Sequence, residues 1–337
     1  MFSERLKRLS PYVPGEQPRD RRYLKLNTNE NPYPPSPTIR EVLRNFDPET
    51  LRLYPDPLFT DLREMIGKRF EIDPAQVFVG NGSDEVLSLA FFSFFDTNRG
   101  PLLFPEHTYS FYPVYCDFYG IGCIKIPLAR DFSLNPDGFL NVETSCGIVF
   151  ANPNAPTGMF LEVGEIRRLL ESYLPDSVVI VDEAYIDFGA ESALPLVKEF
   201  PNLLIIRTFS KGMSLAGLRL GYAMGSRELI DALYRAKDSF NSYPVDTLSL
   251  LIGVAAMQDE AYYKEVTERI IATRERLSRD LQRSGWRVLP SRANFVFASR
   301  EGIPGKEVYR RLKEKGILVR YFDIEGIRDF VRITIGT

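Results

Sequence analysis

The sequence of 337 residues predicts an α/β protein: a large domain on a mostly parallel seven-stranded sheet, then a smaller α+β domain. Three observations carry this. From residue 77 onward, short apolar runs alternate with helix-like stretches. The run Val178–Val181 is apolar at every position, as a parallel strand covered on both faces should be. Beyond residue 245 the alternation gives way to a long helical region and a new group of strands. Residues 1–26 then read as an N-terminal arm, 27–245 as the large domain and 246–337 as the small one, with 246–284 as a bridging helix.

The arm mixes charge with proline, and its opening Met1–Arg5 is polar, without the apolar stretch of a leader peptide. Leu26–Pro34 (LNTNENPYP) is an asparagine-rich loop, either a connector or an active-site wall. A helix follows over Ile39–Phe46. The turn-rich Leu51–Pro57 carries Tyr54, which read alone is a half-buried aromatic. Val77–Val79 is a strand, followed at once by Gly80-Asn81-Gly82-Ser83-Asp84-Glu85 and a helix from Val86 to Phe95. That junction is either an ordinary helix start capped by Ser83 or Asp84, or an anion cradle of backbone N–H groups.

Leu102–Phe104 is the next strand. It leads through Pro105–Tyr109 into a helix whose aromatic rings (Phe111, Tyr112, Tyr115, Phe118, Tyr119) read mostly as core. Tyr109, at the junction, is placed to stack on a planar ligand. Strands are expected near Cys123–Ile126 and Gly147–Phe150, the latter running into Ala151-Asn152-Pro153-Asn154-Ala155-Pro156-Thr157-Gly158, a turn fixed by its prolines. After a helix over Val163–Tyr173, the strand Val178–Val181 ends in Asp182-Glu183-Ala184-Tyr185. Alternation sends Asp182 and Glu183 to opposite faces. Asp182 is either a strand terminator or a buried carboxylate with a partner.

The strand Leu203–Ile206 delivers Ser210 and Lys211 into Thr208–Tyr222, with another strand expected over Arg219–Ala223. Ligands bind at the carboxyl edge of open α/β sheets. Lys211 alone could be a solvated charge. Three glycines, two serines and Arg219 in the same segment instead suit anion contacts and an amine able to attack a carbonyl. Pyridoxal phosphate combines that anion with that carbonyl. In the small domain, strands are expected at Trp286–Leu289, Phe295–Ala298, Leu318–Arg320 and Val331–Ile335, with a helix over Lys306–Lys315.

Composition narrows the function classes. A formal net charge of −3 gives no basic footprint for nucleic acid. No apolar run approaches the ~20 residues of a membrane span. The single histidine, His107, argues against a His-based metal site or a His-dependent triad. Three cysteines (Cys116, Cys123, Cys146) without metal-site spacing read as reduced thiols of a cytoplasmic protein, with nothing favouring a Cys116–Cys123 bridge.

Taken in order, Asn27–Pro32, Gly80–Glu85, Pro156-Thr157-Gly158, Asp182–Tyr185, Thr208–Lys211 and Arg332–Thr337 resemble the fold-type I pyridoxal-phosphate aminotransferases, within them the branch acting on histidinol phosphate. The likeness covers nearly the whole chain. It implies the fold-type I PLP-transferase fold and transamination between histidinol phosphate and 2-oxoglutarate in histidine biosynthesis. Lys211 would be the Schiff-base lysine and proton shuttle, Asp182 the partner of the pyridinium nitrogen, and Tyr185 the donor to the ring hydroxyl. Tyr109 would stack on the ring. Ser83, Asp84, Ser210 and Arg219 would surround the phosphate. Tyr54 would reach that phosphate from a second subunit, making a homodimer the working unit. Arg332 would grip a carboxylate and Arg320 the substrate phosphate, while Tyr12, Asn29 and Asn154 would line the site.

Two departures stand out. The family places asparagine directly before Pro-Thr-Gly, where this sequence has Ala155, leaving Tyr185 or the shifted Asn154 to serve the ring oxygen. The sequence also stops at Thr337, where the family continues into a further helix. Three other readings stay open. An aromatic amino-acid aminotransferase fits if Arg320 turns outward, and a threonine-phosphate decarboxylase shares the fold and the need for arginines. A cofactor-sensing regulator would carry a DNA-binding segment, and none precedes residue 27.

Overall fold

The computed structural model describes every residue but Met1, Glu4, Arg5 and Arg8. The reading of the arm and its polar opening falls in part outside the described residues. Twelve described strands form two sheets. β1 (Leu24–Leu26) precedes β2 (Val77–Gly80), β3 (Leu102–Pro105), β4 (Cys123–Ile126), β5 (Gly147–Ala151), β6 (Val178–Asp182), β7 (Leu203–Thr208) and β8 (Gly221–Met224). β9 (Arg287–Val288), β10 (Phe295–Ser299), β11 (Ile317–Tyr321) and β12 (Phe330–Thr334) complete the series.

The larger sheet has seven strands in the order β2-β8-β7-β6-β5-β3-β4. Only β8 runs antiparallel to its neighbours β2 and β7, so the sheet is mostly parallel, as expected. Its central strands are apolar because helices cover both faces. Val179, Ile180 and Val181 of β6 have no solvent exposure. Each such side chain contributes roughly 1.5–3 kcal/mol by leaving water. One face packs on helices Thr60–Phe70 and Thr247–Gln258, through residues such as Leu62, Ile66, Ile252 and Ala256. The other packs on Gly82–Phe94, Phe111–Tyr119 and Arg227–Phe240. Tyr112 and Tyr115 are buried, as expected of that aromatic run, whereas Phe118 is more than half exposed.

Four findings amend the sequence expectations. The smaller sheet has five strands, β1-β11-β12-β10-β9, and its edge strand β1 comes from the arm, parallel to β11. A three-residue Leu-Lys-Leu run is too short to announce itself, and its partner lies nearly the whole chain away. The helical stretch after residue 245 is two helices, Thr247–Gln258 and Glu260–Arg283, divided at Asp259, whose side chain caps the second by accepting from the Tyr262 N–H. Arg219 sits at φ +54, in the left-handed region, so β8 starts only at Gly221. The helix Arg227–Phe240 had no counterpart in the sequence reading, although Ser226 caps it through the Leu229 N–H.

Candidate active site

The parallel strands β5, β6 and β7 point their carboxyl ends at one cavity of about 240 Å³. β7 hands over to the turn carrying Lys211. The Lys211 amine lies on the cavity wall, donates to the Thr28 carbonyl at 3.1 Å and stands 5.9 Å from the centre of the Tyr185 ring. The backbone of the lysine turn is held from outside. The Asn31 side-chain amide donates to the carbonyls of Lys211 (3.1 Å) and Gly212 (3.3 Å).

β6 ends in Asp182, almost completely buried, which accepts from the Tyr112 hydroxyl at 3.1 Å and from the Ala184 N–H at 3.1 Å. Burial pushes its carboxyl up to about 6, against the pull of those two hydrogen bonds. Burial likewise drives the Tyr112 hydroxyl well above its ordinary range, the neighbouring Asp182 adding to the effect. Glu183 turns to the opposite face, as alternation requires, and pairs with Arg207 at 2.8 Å, with Ser192 hydrogen-bonded to both. Of the two acids only Asp182 lines the cavity.

At one end of the cavity the helix Gly82–Phe94 begins. Asn81, its first flanking residue, makes no side-chain cap, so the capping alternative is not met and the first-turn N–H groups are left for another acceptor. Ser83, Asp84, Ser210 and Arg219 all line this end. Arg219 donates to Asp84 at 2.9 Å, and Asp84 also accepts from the Tyr109 hydroxyl at 2.7 Å. Two glycines permit the close packing. Gly82 has φ +79, and a Cβ there would lie 2.7 Å from the Arg219 guanidinium. A Cβ on Gly221 would lie 2.3 Å from the Ser83 nitrogen.

At the other end Arg320 and Arg332 face each other in direct register on β11 and β12. Among the described residues neither guanidinium forms an ion pair. Arg332 donates to the Asn27 carbonyl at 3.1 Å, lies over the Phe295 ring at 5.3 Å and leaves its buried Nε without an acceptor. Burial lowers its proton affinity. Arg320 donates to the carbonyls of Val13 (2.9 Å) and Pro14 (3.1 Å), which brings the arm over the cavity. Tyr12 of that arm lines the cavity and stacks on Phe111 at 4.5 Å.

Asn29 also lines the cavity, its amide donating to the Tyr185 hydroxyl at 2.9 Å. Asn154 does not. Its amide donates to the His107 carbonyl (2.8 Å) and Thr157 (3.0 Å), and its oxygen accepts from Thr108 (2.9 Å). The idea that a shifted Asn154 serves the ring oxygen is therefore corrected: that side chain is engaged within the wall, and Ala155 lines the cavity instead. Tyr54 lies away from this chain's cavity, 81 % exposed and stacked on Tyr243 at 4.6 Å. Sequence reasoning missed Thr28, Glu30, Asn31 and Tyr112. The first three stood inside the asparagine-rich motif, so proximity to Asn29 was their available signal. Tyr112 was hidden among aromatic neighbours.

The donor set fits pyridoxal phosphate. Free helix N–H groups, Ser210 and Arg219 suit a phosphate. A buried carboxylate whose nearest partners are neutral suits a cationic ring nitrogen, and the Lys211 amine lines the same cavity.

Residues 21–337 match the family model described as aminotransferase class I and II. The histidinol-phosphate aminotransferase of Syntrophus aciditrophicus is 58% identical over 338 residues, covering 100% of this chain and 94% of that protein. The enzyme of that name from Chromohalobacter salexigens is 54% identical over 336 residues, with the same coverage. Among solved structures, histidinol-phosphate aminotransferase from Sinorhizobium meliloti, in complex with pyridoxal-5'-phosphate, superposes with a TM-score of 0.88 at 24% identity. That superposition covers 100% of this chain and 93% of the other, and it shows the shared fold.

Proposed function

The chain belongs to the class I and II aminotransferases, and from that premise we propose that it transfers the amino group of histidinol phosphate to 2-oxoglutarate, with pyridoxal 5'-phosphate as cofactor, in histidine biosynthesis. The observation that carries the reading is one cavity holding the Lys211 amine, the buried Asp182 carboxylate and two adjacent guanidinium groups that, among the described residues, have no carboxylate partner. The cofactor supplies an electrophilic carbonyl and a ring that accepts electrons; the protein supplies orientation and proton handling.

In this reading Lys211 anchors the cofactor. Its Nζ, when free, would take the proton from the amine-bearing carbon of the substrate and give it up again, a general acid–base role. Asp182 holds positive charge on the ring nitrogen, and Tyr112 fixes the carboxylate that does so. Tyr185, itself hydrogen-bonded by Asn29, addresses the ring hydroxyl in place of the asparagine replaced by Ala155. Tyr109 covers the ring face. The backbone N–H groups of Ser83 and Asp84, with Ser210 and Arg219, would hold the phosphate, while the Asp84 carboxylate locks Arg219 and Tyr109. Arg332 and Arg320 select the substrate anions through bidentate contacts, and Tyr12 closes that end. Asn154 acts as a wall residue. Arg320 faces into the cavity, so the outward turn required by the aromatic reading is not met.

The finer reading is a cytoplasmic homodimer in which Tyr54 completes the second subunit's phosphate site. Its support is Tyr54 itself, exposed beside Leu51, Leu53 and Leu58, all at least half exposed. The three cysteines, none in a disulfide, suit the cytoplasm. The reading assigns residues 1–26 to an arm, 27–245 to the cofactor-holding domain and 246–337 to the small domain.

The test is a single-turnover absorbance assay of the cofactor-loaded protein without acceptor. Histidinol phosphate, phenylalanine and threonine phosphate are supplied separately. Conversion of the cofactor to its amine form by histidinol phosphate alone is expected. Equal conversion by phenylalanine would move the reading to a broad aromatic enzyme, and carbon dioxide from threonine phosphate would move it to a decarboxylase.

A further inference from the structure

We infer that Glu30 is a positioning residue for Lys211, setting the proton affinity of its free amine across Thr28, with Lys25 as the counterweight. Three contacts place it there. The Lys211 amine donates to the Thr28 carbonyl at 3.1 Å. The hydroxyl of that same Thr28 donates to one Glu30 oxygen at 2.6 Å. The other Glu30 oxygen is bonded and ion-paired to Lys25. Glu30 lines the cavity, so its charge is felt there and not only at the surface. Burial alone would raise its carboxyl, but the bonds from Lys25 and Thr28 outweigh burial and hold it below its ordinary value, with the Lys211 charge adding to their pull.

One carboxylate thus serves two ammonium groups, one in direct contact and one through a neighbouring backbone carbonyl. The remaining charged and titratable groups lining the cavity are Asp182 at the end of β6, Tyr185 beyond it, Tyr12 of the arm, Tyr109, the Asp84–Arg219 pair, and Arg332 and Arg320 from the smaller sheet. The arginines disfavour the charged amine and the aspartates favour it. Glu30 is the carboxylate on the side where the free amine is hydrogen-bonded. In this inference its charge favours the protonated amine, while the Thr28 carbonyl fixes where Nζ points. In the proposed reaction this retains in the cavity the proton Lys211 has taken up.

The inference rests on the transaminase reading for its purpose but not for its test. The full chain without cofactor is labelled with acetic anhydride across a pH series. Acetylation of Lys211 is read by peptide mass spectrometry against the exposed Lys68 in the same digest. Only the neutral amine reacts. In Glu30→Gln, which keeps a hydrogen-bonding partner for Thr28 but no charge, the midpoint for Lys211 should fall by about half a pH unit. Labelling below the midpoint then rises about threefold. Lys25→Met, which frees Glu30 from its direct partner and removes a nearby cation, should move the midpoint upward. Lys68 should not move in either.

A structural role alone would not shift a titration in opposite directions in the two variants. No shift in Glu30→Gln, or shifts of the same sign in both, overturns the inference. If labelling shifts as stated while no amine substrate is converted, the transaminase reading fails and this inference stands. If the wild-type protein turns over and labelling does not shift, the inference fails alone.

Discussion

Asp182 is a carboxyl group that the folded chain disfavours in its charged form. Its folded value of about 6 lies above the ordinary 3.8. Between those values the folded protein keeps a proton that the unfolded chain has released, so stability falls as pH rises through the window and stays lower above it. A shift of this size corresponds to about 2–3 kcal/mol. Without cofactor, Asp182→Asn should therefore melt higher than the wild type at pH 8, and the gain should shrink near pH 4.5. An equal gain at both values would show that charge burial is not the cause. Lys211→Ala should lose turnover altogether in the single-turnover assay, and measurable transamination by it would remove the lysine from its assigned role. Both residues could be found in the sequence because Asp182 ends an apolar strand and Lys211 sits among glycines, serines and Arg219, but only the family resemblance gave them roles. Tyr112 could not, and Glu30 had only its place beside Asn29 to mark it. What matters about them is a hydrogen bond to a residue distant in sequence in the one case, and in the other a cation reached through a backbone carbonyl.

At the scale of elements, the anion end depends on β8 lying against the first turn of the helix Gly82–Phe94. The approach is so close that Gly221 has no room for a methyl group: its nearest neighbours would be the backbone atoms Ser83 N and Gly82 C, at 2.3 and 2.6 Å. Gly221→Ala should push the helix start away from Ser210 and Arg219 and weaken cofactor retention at least about tenfold, roughly the loss of one good charge-assisted hydrogen bond. Equilibrium dialysis of the cofactor checks this, and unchanged retention would mean that the helix start does not hold the phosphate. The strands of the large sheet were readable because burial on both faces leaves an uninterrupted apolar run. The helix Arg227–Phe240 was not. Its apolar and charged residues are interspersed, with no apolar run of the kind that marks the strands of the sheet. β1 escaped for a different reason. Its strand character comes from pairing with β11, and three residues carry no period of their own.

For the whole molecule, the sequence reading reached the two sheets and the cavity but not the arm's part in the smaller sheet. Such pairing is a matter of long-range register that local patterns do not encode. The proposed dimer has a direct test. Tyr54→Ala and Lys211→Ala chains, separately tagged and co-expressed, should each be impaired as homodimers. The purified hybrid should recover about half of wild-type activity, because one of its two sites then has both residues intact. Activity no greater than the mean of the two parents would place Tyr54 outside the partner's site. The direct register of Arg320 and Arg332 reaches beyond recognition. Like charges set opposite one another on adjacent strands repel, which weakens the smaller sheet at this cavity-lining seam. An anion lodged between the two guanidinium groups mends that seam whatever its origin. If these arginines hold the substrate as proposed, sulfate or phosphate in the buffer would compete with it and also brace the fold, which would make the choice of salt a hidden variable in any melting temperature recorded for this chain.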